Sequence, residues 1–242
     1  FPYVSGSTTD RYELDGVRVM QVSEANNVDT FCTVVRSQVT TLELAKGASP
    51  GAQHVEVTTL GSVVNDTQNW CLGRPATTQL SRQHNLATGA QVVRNYAHSW
   101  DLARCRATQH VVEPASTTSR VTNDYAYDPY GNVTSVSVTP IGKPVRISAQ
   151  DWTVDGRFPA SSTNAEGHVT RTTWDPVIAR PASMTDANGL ATQVLYDDLG
   201  RQARSTRPDG TSTSVARAPC GVDCPSSDAR YVVGVTRRGV GD

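Results

Sequence analysis

The sequence predicts an all-β fold in which tandem antiparallel β-hairpins form a curved strip. Val and Thr contribute 31 and 29 of the 242 residues, a quarter of the chain. Both are β-branched, which favours strands and disfavours helices. In the second half of the chain a segment of about 22 residues recurs, and each copy ends in a Gly-containing turn dipeptide. These observations exclude an all-α fold and disfavour a doubly wound α/β fold.

The first part of the chain, residues 1–115, is predicted to be an irregular β region that begins the strip. Asp15-Gly16 lies between two short alternating segments and predicts a hairpin. Val/Thr-rich or alternating runs predict further strands at 31–44, 54–60, 92–100 and 106–112. The last two of these runs are expected to pair with each other around the short turn between them.

The second part, residues 116–242, is predicted to contain the repeats, which we expect to continue past the C-terminus. Trp152, Trp174 and Tyr196 follow one another at intervals of 22 residues. Asn-Gly and Asp-Gly supply the positive φ angles that a two-residue hairpin turn requires. We therefore expect two-residue turns at Glu166-Gly167, Asn188-Gly189 and Asp209-Gly210. A second turn then reverses the chain, so each repeat is one hairpin.

The second turn carries the pattern Tyr-Asp-x-x-Gly-[Arg/Asn], which occurs at 127–132 and 196–201, with degenerate relatives that begin at Trp100 and Trp174. The Tyr is expected to end a strand and pack on the neighbouring hairpin. The Asp accepts backbone N–H bonds, and the Gly takes the left-handed position. The Arg or Asn begins the return strand. The predicted structural-motif residues are Tyr127, Asp128, Gly131, Trp174, Asp175, Tyr196, Asp197, Gly200, Arg201, Asp209 and Gly210.

This pattern resembles the YD-repeat, or Rhs-repeat, family over about residues 120–217. Short phrases at 1–4, 12–16 and 69–75 also resemble its bacterial branch, which is related to the B and C components of insecticidal toxin complexes. The resemblance implies one long β-strip that spirals into a hollow shell around a toxic C-terminal polypeptide. Its partners would be the remainder of its own chain and the enclosed toxin domain. The resemblance also implies a bacterial protein that is secreted or at the cell surface. Eukaryotic teneurins share the shell and use it for adhesion.

Charge and motifs exclude several other functions. Lys and Arg number 22 against 23 Asp and Glu, so no basic surplus is available to bind nucleic acid or an anionic membrane. No apolar run is long enough to span a bilayer. Nucleophile, metal-ligand and phosphate-loop motifs are missing, and nothing matches the self-cleaving protease of the YD-repeat family. We therefore expect no enzyme activity and no cofactor.

Two functional alternatives stay open. Asp128, Asp175 and Asp197 recur once per repeat and could bind calcium, but hard cations need several oxygens from one loop, so turn formation is preferred. The aromatic side chains could stack on sugar rings if they were exposed, although burial between hairpins is the default; they are Tyr127, Trp152, Trp174 and Tyr196. Exposure would make the chain a surface-exposed adhesive or carbohydrate-binding module whose partner is a carbohydrate or a cell-surface receptor.

The five cysteines are Cys32, Cys71, Cys105, Cys220 and Cys224. Our first interpretation is that they are buried small apolar side chains. A local disulfide between Cys220 and Cys224 is the second, because a turn would bring the two thiols together. Half of a zinc site is disfavoured, because no second cysteine or histidine pair has ligand spacing.

Overall fold

The computed structural model describes residues 3–44, 50–85, 91–220 and 231–240. Within these ranges the protein forms β-strands and no helix, so no described helix could cross a membrane. The strands are β1 (Gly6–Tyr12), β2 (Arg18–Val28), β3 (Val34–Glu43), β4 (Gln53–Asp66), β5 (Cys71–His84), β6 (Val92–Asp101), β7 (Arg106–Val112), β8 (Val121–Tyr127), β9 (Val133–Pro140), β10 (Arg146–Trp152), β11 (Pro159–Thr163), β12 (Val169–Asp175), β13 (Arg180–Thr185), β14 (Ala191–Tyr196), β15 (Gln202–Thr206), β16 (Ser212–Pro219) and β17 (Tyr231–Arg238). The predicted fold class, tandem antiparallel β-hairpins, is confirmed.

The chain divides into two compact units. Unit 1 comprises residues 1–126 and 137–146 and contains β1 to β7 and nearly all of β8. From β1 to β8, each strand pairs antiparallel with its successor in the chain. The predicted pairing between the runs at 92–100 and 106–112 is confirmed, because β6 pairs with β7 and places His98 opposite His110.

Unit 2 comprises residues 127–136 and 147–242. From β10 to β17, each strand again pairs antiparallel with its successor in the chain. Trp152, Trp174 and Tyr196 all lie at a register shift in their strand pair, directly before the turn. The 22-residue spacing therefore corresponds to one hairpin, with an aromatic residue where the strand pairing becomes irregular.

The prediction of two-residue turns is wrong at Glu166-Gly167, Asn188-Gly189 and Asp209-Gly210. In each of these loops only the Gly has a positive φ, between +81° and +83°. The backbone bonds also span more residues, since the Asp186 N–H donates to the Leu190 carbonyl and the Gly189 N–H donates to the Asp186 carbonyl. This is a three-residue loop, a type I turn followed by a left-handed residue. The Asp186 carboxylate stabilises it by accepting from the N–H groups of Asn188 and Leu190.

Few side chains are fully buried in the described parts of the chain. The buried apolar residues are Ala52, Cys71 and Val194, and the buried polar ones are Ser81 and Ser212. Burial of apolar area is the dominant favourable term in most folds, and here it comes mainly from half-buried side chains. We therefore expect the contacts between successive hairpins to contribute much of the stability of the fold.

Candidate functional site

The segment 196–201 forms the turn between β14 and β15, and the Asp197 carboxylate holds this turn together. The Asp197 N–H donates to the Arg201 carbonyl and the Gly200 N–H donates to the Asp197 carbonyl, each at 2.8 Å. Asp197 Oδ1 accepts from the N–H groups of Leu199 and Arg201, and Oδ2 accepts from Arg201 Nε at 2.8 Å. The backbone N–H of Arg201 is the largest cause that holds the pKa of Asp197 below its ordinary value. Gly200 has φ +70°, the left-handed conformation that favours glycine.

The segment 127–132 repeats this arrangement with Asn132 in the place of Arg201. The Asp128 N–H donates to the Asn132 carbonyl, and both Asp128 oxygens accept from Asn132, one from its N–H and one from Nδ2, each at 2.9 Å. Desolvation raises the pKa of Asp128, but hydrogen bonds from Asn132, Gly131 and Tyr130 together outweigh it, and the pKa lies below its ordinary value. Gly131 has φ +100°. Arg and Asn are thus interchangeable here because each donates to the second carboxylate oxygen. Tyr127, which precedes this turn, is half-buried.

The relatives that begin with Trp form a longer loop. Asp175 pairs with Arg180 across four loop residues, and its Oδ1 accepts from the N–H groups of Val177 and Ile178. Ala179 holds the left-handed position with φ +54°. Asp101 and Arg106 pair around an equivalent loop in which Cys105 has φ +53°.

Asp209 and Gly210 lie in a loop at the opposite ends of the strands, between β15 and β16. Asp209 Oδ1 accepts from the N–H and the hydroxyl of Thr211. The hydroxyl is the largest cause that lowers the pKa of this carboxyl. Gly210 has φ +82°, and its N–H donates to the Arg207 carbonyl.

Several half-buried aromatic side chains that precede a turn each bond to a backbone carbonyl of the preceding hairpin. Trp174 Nε1 donates to the Pro159 carbonyl at 2.7 Å, and the Tyr196 hydroxyl donates to the Pro181 carbonyl at 2.8 Å. Equivalent bonds join Trp152 to Val133 at 2.9 Å and Trp100 to Pro75 at 2.8 Å. We call this set of bonds the carbonyl ladder.

Within unit 2 the ladder is continuous, because the acceptor of one bond lies opposite the donor of the previous one. Pro181, which accepts from Tyr196, is the register partner of Trp174. Gln202 is in turn the register partner of Tyr196, and its carbonyl accepts from Arg217 Nη1 at 3.0 Å. In the next hairpin Arg217 is therefore the donor in place of an aromatic residue. The sequence patterns did not identify this role of Arg217. The 21-residue step from Tyr196 to Arg217, equal to the step from Gly189 to Gly210, was the signal that could have found it.

A second type of contact joins the tips of two successive hairpins in unit 2. The Tyr130 hydroxyl donates to the Val154 carbonyl at 3.3 Å, and Asn132 Nδ2 donates to the Gly156 carbonyl at 2.8 Å. A Cβ atom on Gly156 would collide with the Tyr130 ring, so a larger residue there would require that ring to shift. The Tyr-Asp-x-x-Gly-Asn turn thus binds the next turn as well as closing its own.

The interpretation of the cysteines as buried apolar side chains is confirmed for the burial of Cys71 and is wrong for Cys32, which is exposed, and for Cys105, which is half-buried. Cys71 and Cys105 form a disulfide between the start of β5 and the loop that follows β6. Cys71 is fully buried, as expected, but as half of this bond. Cys32 is an exposed free thiol with φ +62° at the tip of the β2–β3 hairpin. The proposed Cys220–Cys224 bond involves residue 224, which lies outside the described residues.

A cleft of about 670 Å³ opens beside the tips in unit 2. The Phe158 and Trp174 rings stack there at 4.8 Å between centroids and 15° between planes, and Tyr130 stands 66% exposed at the rim. Thr153 and Asp155 supply polar atoms to the wall. Nowhere in the described residues do three His, Cys, Asp or Glu side chains gather to hold a metal ion.

Comparison with known proteins places this fold among toxin complex structures. No family model matches the sequence, and no curated protein matches it. Solved structures do match. A crystal structure of TcdB2-TccC3 has a TM-score of 0.53 at 10% identity. A second crystal structure of TcdB2-TccC3, without its hypervariable C-terminal region, has a TM-score of 0.52 at 8% identity. Each match covers 83% of this chain, and the chain spans 15% of the chain that it matches.

The Photorhabdus luminescens Tc holotoxin pore also matches, with TM-score 0.50 and 11% identity over 87% of this chain and 13% of that one. At these identities the likeness shows the fold alone. The fold is thus a toxin-complex-like β-structure.

Proposed function

We propose that this chain is a non-catalytic wall segment of a YD/Rhs-type shell that encloses a toxic C-terminal polypeptide. The carbonyl ladder is the observation that supports this most. It joins successive hairpins through one side-chain donor and one backbone acceptor, for example Tyr196 and Pro181. Such a link needs no large apolar core and can be added hairpin by hairpin, as the stacking of structural repeats requires. The likeness of fold to toxin complex chains supports the same proposal.

The disulfide supports the proposed location, which is outside the bacterial cytoplasm. Cys71 and Cys105 are paired, and disulfides persist in oxidising compartments such as the periplasm, the cell surface and the extracellular space. A wall segment of a secreted or cell-surface protein would meet such conditions. The partners would then be the neighbouring hairpins of its own chain and the enclosed polypeptide.

Limited proteolysis of the full-length gene product tests the proposal. If this segment is part of a closed wall, the polypeptide that it encloses resists protease as long as the wall is intact. Replacing three ladder donors together, Trp174→Ala, Tyr196→Ala and Arg217→Ala, should make the enclosed polypeptide cleavable. The matched control is Leu195→Ala, since Leu195 is 61% exposed beside Tyr196 and donates to no carbonyl. A gene product that contains no protected polypeptide would disprove the proposal.

The cleft in unit 2 favours a second candidate function, carbohydrate binding by an adhesive module. Stacked aromatic rings suit the apolar face of a sugar ring. The Asp155 carboxylate, which already accepts from the Thr153 hydroxyl, would also accept from the hydroxyl groups of the sugar. Tyr130→Ala should then weaken binding to immobilised glycans, whereas Leu190→Ala, at an exposed site outside the cleft, should not. Glycan binding that survives Tyr130→Ala, or no glycan binding at all, would leave the shell as the only candidate.

A further inference from the structure

Two histidines of unit 1 stack directly against each other across a strand pair. His98 on β6 is the register partner of His110 on β7, and their rings lie 5.0 Å apart between centroids with 16° between planes. Tyr96 stacks on the His110 ring at 5.5 Å between centroids, and Thr78 Oγ1 bonds to His98 Nε2 at 3.0 Å. Both imidazoles are half-buried. The pair is therefore held in close contact by neighbours on three strands.

Among the described residues, no carboxylate bonds to either imidazole ring. Side chains alternate along a strand and directly opposed residues share a face, so the register identifies the neighbours. The titratable or charged groups that share this face are Arg74 and Arg82 on β5, Arg94 and Tyr96 on β6, Tyr125 and Tyr127 on β8, and Glu56 and His54 on β4, with His84 at the end of β5. Asp101 and Arg106 are register partners beyond the shift at Trp100 and lie on the opposite face, where Asp101 is paired with Arg104. Glu56 is already bonded to Arg82 at 2.6 Å. Asp124 is the register partner of Gln109 and lies on the opposite face.

We propose that the stacked pair of His98 and His110 makes the β6–β7 hairpin an acid-sensitive element of unit 1. Protonation of both imidazoles places two positive charges 5.0 Å apart in a half-buried site. Like charges at this distance repel strongly when water is partly excluded. The rings separate, and the strand pair that carries them loosens. Histidine titrates in the range where this change would follow mild acidification.

The sign of the effect follows from the environment of His98. The pKa of His98 is lowered from its ordinary value of 6.5. Desolvation by burial is the larger cause, and the charge of His110 is the smaller one. A group whose pKa is lower in the folded than in the unfolded chain adds stability that is complete above its unfolded pKa. That stability is lost as the pH falls through the lowered pKa. The β6–β7 hairpin is therefore more stable at neutral pH and loses stability on acidification.

Hydrogen exchange on the whole chain tests this proposal. Between about pH 7.5 and 5.5, the protection factors of the β6 and β7 amides should fall in the wild type, because the stability that the uncharged pair adds is lost in this range. His110→Phe keeps a ring to stack on Tyr96 and His98 but removes the second charge, so most of the fall should disappear. His168→Gln, at an exposed loop, should leave the fall unchanged.

A second measurement keeps the test valid if the variants alter stability for other reasons. Magnetic resonance titration gives the protonation midpoint of His98 directly. In His110→Phe that midpoint should move up towards 6.5 relative to the wild type, because the neighbouring charge has gone. A midpoint that does not move, or an equal loss of protection in His110→Phe and the wild type, would overturn the proposal.

Discussion

The hydroxyl of Tyr196 donates a hydrogen bond to the carbonyl oxygen of Pro181 across 2.8 Å. Proline has no N–H to donate, so it is tolerated in sheets mainly at edges and bulges. Pro181 lies where the β12–β13 register shifts, and its carbonyl accepts a hydrogen bond from Tyr196 of the next hairpin. Pro75 and Pro159 are acceptors of the same kind. A residue that weakens the pairing of its own strands thus supplies the contact between hairpins.

Tyr196→Phe should lower the free energy of unfolding by about 1 kcal/mol, because the Pro181 carbonyl loses its donor while the ring stays. Tyr196→Ala should cost about 2 kcal/mol, roughly half of a large aromatic truncation in a core, since the ring is half-buried. Urea midpoints measure both values. Leu195→Ala is the control and should change little, because Leu195 is 61% exposed. If Tyr196→Phe matches the wild type, this ladder bond does not contribute to stability.

Gly200→Val should destabilise the fold by about 1–2 kcal/mol through backbone strain alone. The φ of Gly200 is +70°, whereas the nearest atoms to an added Cβ are 3.9 Å away, so the Cβ itself makes no clash. The matched control is Gly234→Val in β17, where no atom lies within 4 Å of the added Cβ. There a β-branched residue should be neutral or slightly stabilising. Equal urea midpoints for the two variants would contradict the role of the left-handed turn.

The sequence predicted the hairpin architecture because its determinants are local. The Val/Thr content, the turn glycines and the 22-residue spacing act within one repeat, and the β6–β7 pairing followed from two adjacent runs. The turns were assigned one residue too short because the dipeptide pattern does not reveal how far the Asp186 side chain reaches. The disulfide joins cysteines 34 residues apart, which no local pattern specifies.

Removing the disulfide with Cys71→Ala and Cys105→Ala together should lower the free energy of unfolding by about 3–4 kcal/mol. This is the loop-closure cost that a cross-link of 34 residues removes from the unfolded chain. Cys32→Ser should have no such effect, because Cys32 is an exposed free thiol. Guanidinium midpoints of the three forms measure the difference. Equal midpoints for the double variant and the wild type would show that the bond constrains nothing.

Acid should destabilise the fold below about pH 4 through its turn carboxylates. Their pKa values are lowered in the folded chain, so the stability that they add is complete above the unfolded pKa and is lost as the pH falls through the folded one. The carboxyls concerned are Asp29, Asp66, Asp101, Asp128, Asp155, Asp197 and Asp209. Urea midpoints should fall steeply between about pH 4 and 2. Asp197→Asn should flatten part of this fall, and a midpoint that stays constant in this range would contradict the assignment.

Arg217 offers the sharpest test of the ladder, because it performs an aromatic residue's role with different chemistry. Its Nη1 donates to the Gln202 carbonyl at 3.0 Å, and its side chain is 23% exposed. Arg217→Leu keeps apolar bulk but has no donor, and should cost about 1–2 kcal/mol, as expected for a bond from a charged group that is partly solvated. Arg217→Tyr should restore most of this stability, because Tyr196 makes the same bond over the same 15-residue offset. Urea midpoints of the two variants decide the matter: if Arg217→Tyr is no more stable than Arg217→Leu, the position requires a charge, and the ladder is not a general device of the repeat.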